Sequence, residues 1–260
     1  MTSIDQALPQ AGGGAFARRT APMQTTDQSP APPLLAVQDL KVYFPRGGAG
    51  WSRRPHDVVK AVDGVSFEIA RGSTLAVVGE SGSGKTTSAL AVMRLAPITA
   101  GTVRLGDTDL GALEGEELRL ARRRLQIVFQ DPFSSLNPRM RAGDAVRAPL
   151  ELMAVGTKAE RDARVAELFT QVGLRPEQQH LFPHQFSGGQ RQRINIARAL
   201  ATKPELVVCD EPVSALDVAI RAQILNLLAK LQRELGLTYL FISHDMAVVE
   251  HLCDEIAVMY

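Results

Sequence analysis

The residue types best suited to chemistry lie together in one glycine-rich segment. Residues 79–86 read G-x-x-x-x-G-K-[ST], after an apolar run at 74–78 and before helix-forming residues at 88–95. In this context the loop points backbone N–H groups at an anion, and the helix N-terminus adds its positive dipole end. A chance glycine-rich turn would not be expected to have strand, lysine and helix together. The pattern predicts a nucleoside-triphosphate site formed by Gly79, Glu80, Ser81, Gly82, Ser83, Gly84, Lys85, Thr86 and Thr87.

Residues for metal binding and proton transfer can be assigned next. Lys85 would place its charge at the outer phosphates, and the Thr86 hydroxyl would be a ligand for Mg²⁺. Asp210 ends a second apolar run at 206–210, where a carboxylate is costly unless a cation or donor compensates it. We therefore expect Asp210 to orient Mg²⁺ and the adjacent Glu211 to act as general base on the attacking water. The alternative is that both acids cap the following loop.

A second segment also has the features of an anion site. A hydroxyl, two glycines and free backbone N–H groups come together at a predicted helix start in Ser187, Gly188, Gly189 and Gln190. One nucleotide needs only one phosphate cradle, so this segment is expected to close over a nucleotide held by another subunit. An ordinary helix cap is the alternative. His244, at the tip of the apolar run 238–243, would contact a γ-phosphate or be a structural loop histidine.

The elements that must position these residues follow from the apolar pattern. Short apolar runs alternate with helical segments, and the functional residues follow the carboxyl ends of the runs. This order predicts an α/β protein with a parallel sheet. The insertion between Gln130 and Ser187 is predicted to be a mostly helical subdomain at about 136–187, with helical material from about 144 to 172.

The N-terminal part has a different pattern. Residues 1–33 are rich in Gly, Pro, Ala, Gln and Thr and have no hydrophobic period, so we expect a disordered tail or linker. Folding is predicted to begin at Leu34, followed by a first strand and then a pair of strands at 58–62 and 65–69. A hairpin is predicted at 101–110, turning at 106–107.

Composition limits the classes of function. The 260 residues are 45% apolar and carry a formal net charge of +1, which argues neither for nucleic acid nor for an acidic partner. The two cysteines cannot form a disulfide framework, in keeping with a reducing cytosol. No run approaches the ~18 apolar residues of a membrane span, so work at a membrane would need another chain to hold this one there.

Together these motifs resemble the ATP-binding cassette family, the subunits that power membrane transporters, over residues 34–260. The loop at 79–86 is similar to the Walker A motif and 206–210 to the Walker B strand, with Glu211 as the base. The resemblance implies an α/β P-loop NTPase fold with an N-terminal antiparallel β subdomain and a helical subdomain. It also implies that ATP and Mg²⁺ are bound.

Further roles come from the same resemblance. Gln130 matches the glutamine that contacts Mg²⁺ and the attacking water, and His244 matches the switch histidine. Residues 187–190 are similar to the family signature, with Phe186 where Leu is commoner, and 214–217 resemble the D-loop. Phe44 would stack on adenine; Tyr43, on the other strand face, is the alternative, and a core role for either is left open.

A narrower likeness is to the ATPases of oligopeptide and dipeptide importers, a branch that includes nickel and glutathione importers. The segments that carry it are 128–138, 209–217 and 241–249. It implies a second ATPase subunit, identical or different, integral membrane permease subunits and, indirectly, an extracytoplasmic solute-binding protein. The location implied is peripheral, on the cytoplasmic face of the inner membrane. Members continue beyond the position of Tyr260, so the chain is expected to be truncated.

Two other classes of function are alternatives. A soluble cassette ATPase acting on ribosomes or DNA would be expected to have two cassettes or long coiled-coil insertions, and its nucleic-acid partner does not fit the near-neutral charge. A phosphotransferase would need an acceptor pocket or lid in place of residues 187–190.

Overall fold

The computed structural model describes residues 17–19, 32–45 and 58–260. Their strands, in chain order, are β1 (Ala17–Arg19), β2 (Leu35–Pro45), β3 (Val58–Ile69), β4 (Thr74–Gly79), β5 (Ala100–Leu105), β6 (Thr108–Asp109), β7 (Leu125–Val128), β8 (Leu206–Asp210), β9 (Thr238–Ile242) and β10 (Glu255–Met259). Their helices are α1 (Lys85–Val92), α2 (Gly115–Ala121), α3 (Ala142–Leu152), α4 (Lys158–Gln171), α5 (Gly188–Leu200), α6 (Val218–Leu235) and α7 (Met246–Leu252), with short 3-10 helices at Pro176–His180 and Pro183–Gln185.

The central sheet has the order β1-β10-β4-β9-β8-β7. All its neighbouring strands are parallel except β1, which pairs antiparallel with β10. Every residue of β8 and β9 is buried, as expected for parallel strands covered on both faces. The α/β parallel-sheet prediction is therefore confirmed.

The two faces of this sheet belong to different cores. Val207 and Cys209 of β8 pack into a core shared with the helical insertion, whereas Leu206 and Val208 pack into a core shared with α1 and the second sheet. The alternation follows from the two-residue period of strand side chains. The sheet thus supports the helical insertion on one side and the N-terminal strands on the other.

The second sheet is antiparallel, with the order β3-β2-β5-β6. The predicted pair of strands at 58–62 and 65–69 is wrong: β3 is one strand that pairs along β2. Its register shifts along the pairing, and Gly64 adopts a φ of +84°, so the irregularity is absorbed as a bulge and the strand continues. The predicted hairpin turn is confirmed, with Leu105 opposite Thr108.

Residues 136–187 contain α3, α4 and the two 3-10 helices. The helical material predicted at 144–172 forms α3 and α4, with a turn between them that the sequence did not predict. The intervening turn has positive φ at Ala154 and Gly156. Thr157 then restarts the helix: its side chain accepts from the Glu160 N–H, and the Glu160 carboxylate accepts from the Thr157 N–H.

Most of the predicted tail at 1–33 lies outside the described residues. Within it, β1 pairs with β10, with Ala17 opposite Val258; the sequence did not predict this strand. An exposed strand edge can pair with another strand through backbone N–H and C=O groups alone, so the side-chain pattern need not indicate that the added strand is present. In the described part of the chain, no helix is long and apolar enough to cross a membrane.

Candidate active site

The phosphate loop (residues 79–87) connects the end of β4 to α1, which begins at Lys85, earlier than predicted. Gly82 and Gly84 have φ values of +88° and +93°, which favour glycine. A Cβ on Gly84 would lie 2.3 Å from the Ala61 carbonyl oxygen, and one on Gly79 would lie 2.0 Å from that of Met259. The loop is therefore held tightly between β3 and β10, where side chains at these two positions would not fit.

The loop is equipped for an anion. The Lys85 side chain is largely buried, and its Nζ donates to the carbonyl oxygens of Gly79 (2.9 Å) and Glu80 (2.6 Å). The Ser83 hydroxyl oxygen is buried and has no hydrogen-bond partner among the described residues. A phosphate group would give the Ser83 hydroxyl an acceptor and the ammonium an opposite charge. The residues present thus fit a phosphate.

A pair of oxygen ligands adjoins the loop. Thr86 Oγ1 donates to Asp210 Oδ1 over 3.1 Å, which joins the first turn of α1 to the end of β8. Burial raises the pKa of Asp210 above its usual range; neighbouring Glu211 raises it further, while the Thr86 hydrogen bond and Lys85 oppose the rise. Hydroxyl and carboxylate oxygens suit Mg²⁺, and a cation here would offset the cost of the buried charge.

Glu211 lies at the meeting point of three strand ends. Its Oε2 accepts from Gln130 Nε2 (2.9 Å), and its Oε1 is 3.0 Å from His244 Nδ1. The backbone φ of Glu211 is +47°, and its N–H donates to the Ile242 carbonyl 3.0 Å away. Strained backbone of this kind persists where the surroundings fix it, and such residues cluster at functional sites. The fold therefore brings together all three residues expected to be catalytic.

The two aromatic residues at the end of β2 have different environments. The Tyr43 hydroxyl donates to Asp63, and the Lys60 ammonium lies 5.4 Å from the Tyr43 ring centroid. Phe44 is 38% exposed and opposite Val59, which is 46% exposed. These two apolar side chains form an exposed patch across β2 and β3. Of the two strands, β3 also contacts the phosphate loop at Gly84. Of the two rings, Phe44 is the one left for stacking.

The SGGQ segment (residues 187–190) forms a capping box at the start of α5. Ser187 Oγ accepts from the Gln190 N–H (3.4 Å), and Gln190 Oε1 accepts from the Ser187 N–H (3.0 Å). Gly189 packs against α6, where an added Cβ would lie 2.4 Å from Ile220 Cγ2. Ser187 is exposed, and among the described residues no hydrogen bond joins the segment to the phosphate loop. The structure thus leaves this helix start outside the site of its own chain.

Contacts that the sequence did not reveal link α5 to the catalytic residues. Gln192 Nε2 donates to the Pro212 carbonyl (2.6 Å), just after Glu211, and Asn195 Nδ2 donates to Ser135 Oγ (2.7 Å), just after Gln130. Both side chains are fully buried. Buried amides inside an otherwise apolar helix face were the signal that could have identified them, since buried polar groups need partners.

Comparisons with known proteins agree with this geometry. The ABC transporter family profile matches residues 62–214. The oligopeptide transport ATP-binding protein AppF of Bacillus subtilis is 50% identical over 228 residues, which cover 87% of this chain and 69% of AppF. The dipeptide transport ATP-binding protein DppF of Escherichia coli is 47% identical over 238 residues, covering 92% of this chain and 71% of DppF.

Solved structures extend the likeness. A dimeric post-hydrolysis structure of the ATP-binding cassette MJ0796 bound to ADP and Pi matches with a TM-score of 0.74 and 30% identity, over 86% of this chain and 94% of that one. A strand-to-helix phosphate loop with two strand-end acids beside it defines a P-loop ATPase. More narrowly, the chain belongs to the ABC transporter family and is an ATPase subunit of that family, which confirms the resemblance found in the sequence.

Proposed function

We propose that this chain hydrolyses ATP to drive import of a solute through membrane permease subunits, and that the solute is a peptide or, as in related importers, glutathione or nickel. The observation that carries the ATPase half is the placement of Glu211 between Gln130 and His244, next to the Thr86–Asp210 pair. The names of AppF and DppF, which are similar over most of this chain, support the solute class. A soluble ABC-type ATPase uncoupled from transport is the alternative.

The nucleotide would lie between two features. Phe44 would stack on adenine, because it is the exposed ring at the end of β2, next to the strand β3 that contacts the phosphate loop. The backbone N–H groups of residues 79–87 and the Lys85 ammonium would bind the phosphates. Tyr43 would stay bonded to Asp63 and keep the strand end in place.

Thr86 and Asp210 would hold Mg²⁺, with Gln130 as a third oxygen ligand. When bound, the ion would neutralise charge that develops on the phosphates. Gln130 donates its amide N–H to Glu211, so its carbonyl oxygen is the group available for a metal or a water.

Glu211 would accept the proton of the attacking water. Its carboxylate is fixed from both sides, by the Gln130 amide and the His244 imidazole, so little reorientation is needed at the moment of reaction. His244 would keep Glu211 in place and present its other ring nitrogen towards the outer phosphate.

The SGGQ segment would close over the nucleotide of a second ATPase subunit, identical or different. Its hydroxyl and N–H groups favour an anion, and dimeric cassettes with this fold are known. Permease subunits would dock at residues 131–140 and on the helices beyond them; in that loop Phe133 is 56% exposed, and the Arg191 guanidinium lies 4.2 Å from its ring centroid. This arrangement would put the chain at the cytoplasmic face of the inner membrane, served indirectly by a solute-binding protein.

Co-purification tests the transport half. The tagged chain is isolated from detergent-solubilised membranes of its host, and the purified material is assayed for integral membrane subunits and for ATPase activity. Copurifying permease subunits and ATP-dependent uptake of labelled peptide in a complemented deletion strain are expected. Full ATPase activity without any membrane subunit, and uptake unchanged by deletion, would favour the soluble alternative. Parallel uptake of glutathione and Ni²⁺ separates the solutes.

The docking surface has its own test. Arg139 is exposed in the 131–140 loop. Arg139→Glu is expected to abolish uptake while ATP binding stays within about twofold of the unmodified chain, since none of residues 131–140 is a predicted nucleotide ligand. Lys230→Glu, at an exposed position on α6, is the matched control. Loss of ATP binding in Arg139→Glu would refute this placement.

A further inference from the structure

Arg221 joins two segments on either side of the catalytic carboxylate. It lies in the first turn of α6, and its Nη1 is 2.8 Å from Asp245 Oδ2, while its Nη2 donates to the Leu216 carbonyl over 3.4 Å. Asp245 directly follows His244, and Leu216 belongs to the segment 214–217. One guanidinium therefore bridges the histidine segment (residues 243–247) and the 214–217 segment, a planar two-ended contact to which arginine is suited.

The same two segments meet again at Glu211. The N–H and the hydroxyl of Ser214 both donate to the Glu211 carbonyl, at 3.2 and 3.1 Å, and His244 Nδ1 is 3.0 Å from the Glu211 carboxylate. With Arg221 on the far side, the contacts form a closed ring: Glu211, His244, Asp245, Arg221, the 214–217 segment and Glu211 again. The two segments thus hold Glu211 at different points: the histidine segment contacts its carboxylate, and the 214–217 segment contacts its backbone carbonyl.

The interior of this ring is not filled by side chains. It encloses a cavity of about 40 Å³ lined by both segments together with Glu211 and Arg221, which is room for about one water molecule. Arg221 Nε is buried and has no partner among the described residues, so it is a donor that such a water could satisfy. Val213 and Val248 also line the cavity and belong to the same buried core as Leu216, so apolar packing keeps the two segments together and the polar contacts fix their relative position at the cavity.

We propose that Arg221 is a positioning residue for ATP hydrolysis: it couples the 214–217 segment to His244 through Asp245 and so fixes the Glu211 carboxylate. This inference rests on the proposed role of Glu211. Loss of Arg221 would not unfold α7, because Asp245 Oδ1 accepts from the Ala247 N–H (3.0 Å) independently of the oxygen that faces Arg221. The expected consequence is misplacement of the base, with the nucleotide contacts unchanged.

Kinetics of Arg221→Met provide the first test. The expected result is a fall in kcat of about tenfold to a hundredfold, the size of effect that a small misplacement of a reacting group produces, with the KM and Kd for ATP within about twofold of the unmodified protein. Arg221→Lys is expected to recover part of kcat, since an ammonium reaches Asp245 but not both partners at once. Lys230→Met, which breaks the exposed Lys230–Glu234 pair on the same helix, is the matched control and should leave kcat unchanged.

Substitution of Asp245, the partner of Arg221, provides a second test. Asp245→Asn keeps an oxygen for the Ala247 N–H and removes the charge that faces Arg221. The double variant Arg221→Met/Asp245→Asn is expected to be no slower than the slower single variant, because both changes break the same contact. Independent, multiplied losses would contradict the proposed coupling.

Hydrogen–deuterium exchange separates this inference from the proposed function. In Arg221→Met, amide exchange is expected to rise together in residues 213–217 and 243–247, and to remain unchanged in Lys230→Met. This readout needs no turnover: a normal kcat in Glu211→Gln would refute the proposed role of Glu211, while paired exchange in Arg221→Met would still report the coupling. A wild-type kcat in Arg221→Met, a loss matched by its loss of folded protein, or faster exchange in only one segment would each overturn the inference.

Discussion

The helix starts at Lys85 and Gly188 both have glycines at or just before the first turn, but their surroundings differ. At the first, a buried ammonium, a hydroxyl and a carboxylate from β8 converge on the loop. At the second, the side chains of Ser187 and Gln190 bond to their own backbone, and Ser187 faces solvent. The first helix start therefore has groups that fit a phosphate, whereas the second, in the proposed arrangement, would meet a nucleotide held by another subunit.

The largest effect is expected from Glu211→Gln, which leaves both helix starts intact. Removing the base should lower kcat by about 10²–10⁴-fold, while ATP still binds at the phosphate loop. If the SGGQ segment meets the nucleotide of a second subunit, this variant should accumulate as an ATP-dependent dimer, measured by size-exclusion chromatography with light scattering. Turnover at the normal rate would show that the base lies elsewhere.

The next effect tests the first helix start. Lys85→Ala removes a charge-assisted contact, generally worth about 1.5–3 kcal/mol, and should weaken ATP binding by roughly 10- to 150-fold. Equilibrium titration with a fluorescent ATP analogue measures it. Lys203→Ala, which changes a lysine remote from the loop in the sequence, is the control. Unchanged affinity in Lys85→Ala would contradict the assignment of the phosphate loop.

The second helix start is tested by Ser187→Ala. Loss of the cap should cost about 1 kcal/mol of unfolding free energy, with ATP affinity of the monomer unchanged and dimer-dependent ATPase activity reduced about tenfold. Thr157→Ala is a close match, because it removes the equivalent capping box at the start of α4, and it should reduce stability alone. Equal loss of ATPase activity in both variants would show that the SGGQ segment is an ordinary helix cap.

The smallest effect is expected at the base-stacking position. Phe44→Ala should raise the Kd for ATP by about fivefold to tenfold. Aromatic stacking on a base contributes about 1–3 kcal/mol, and a partly exposed ring is expected at the low end of that range. Tyr43→Leu removes the other ring together with the hydroxyl bonded to Asp63 and should leave the Kd unchanged. Isothermal titration of both variants decides between the two rings; a larger effect at Tyr43 would reverse the assignment.

Sequence patterns were most successful where a structure is local. The phosphate loop and the turn at Gly106 depend on glycine conformations and on short apolar runs, and both were predicted. Patterns were less successful at irregularities: the bulge at Gly64 was taken for a break between strands, and the turn between α3 and α4 was missed within a helical composition. A bulge and a strand break use the same residue types, and only the partner strand shows which one is formed.

The edge strand β1 was missed for the same reason: the sequence does not show the strand with which it pairs. Its pairing with β10 uses backbone groups that every sequence possesses. Tyr43 and Phe44 show the corresponding limit at the site. Their alternation placed them on opposite strand faces, but only the bond from Tyr43 to Asp63 and the exposure of Phe44 distinguish their environments.

By itself, the sequence determined the strand–loop–helix unit, the two acids at a strand end and the family to which the chain belongs, because these depend on residues close together along the chain. The tertiary structure decided that Glu211 meets Gln130, 81 residues away, and His244, 33 residues away, and that Arg221 closes the ring behind them. Those contacts depend on the order of β7, β8 and β9 in the sheet. Strand order is set by how the helices and both cores pack together, and no local pattern encodes it.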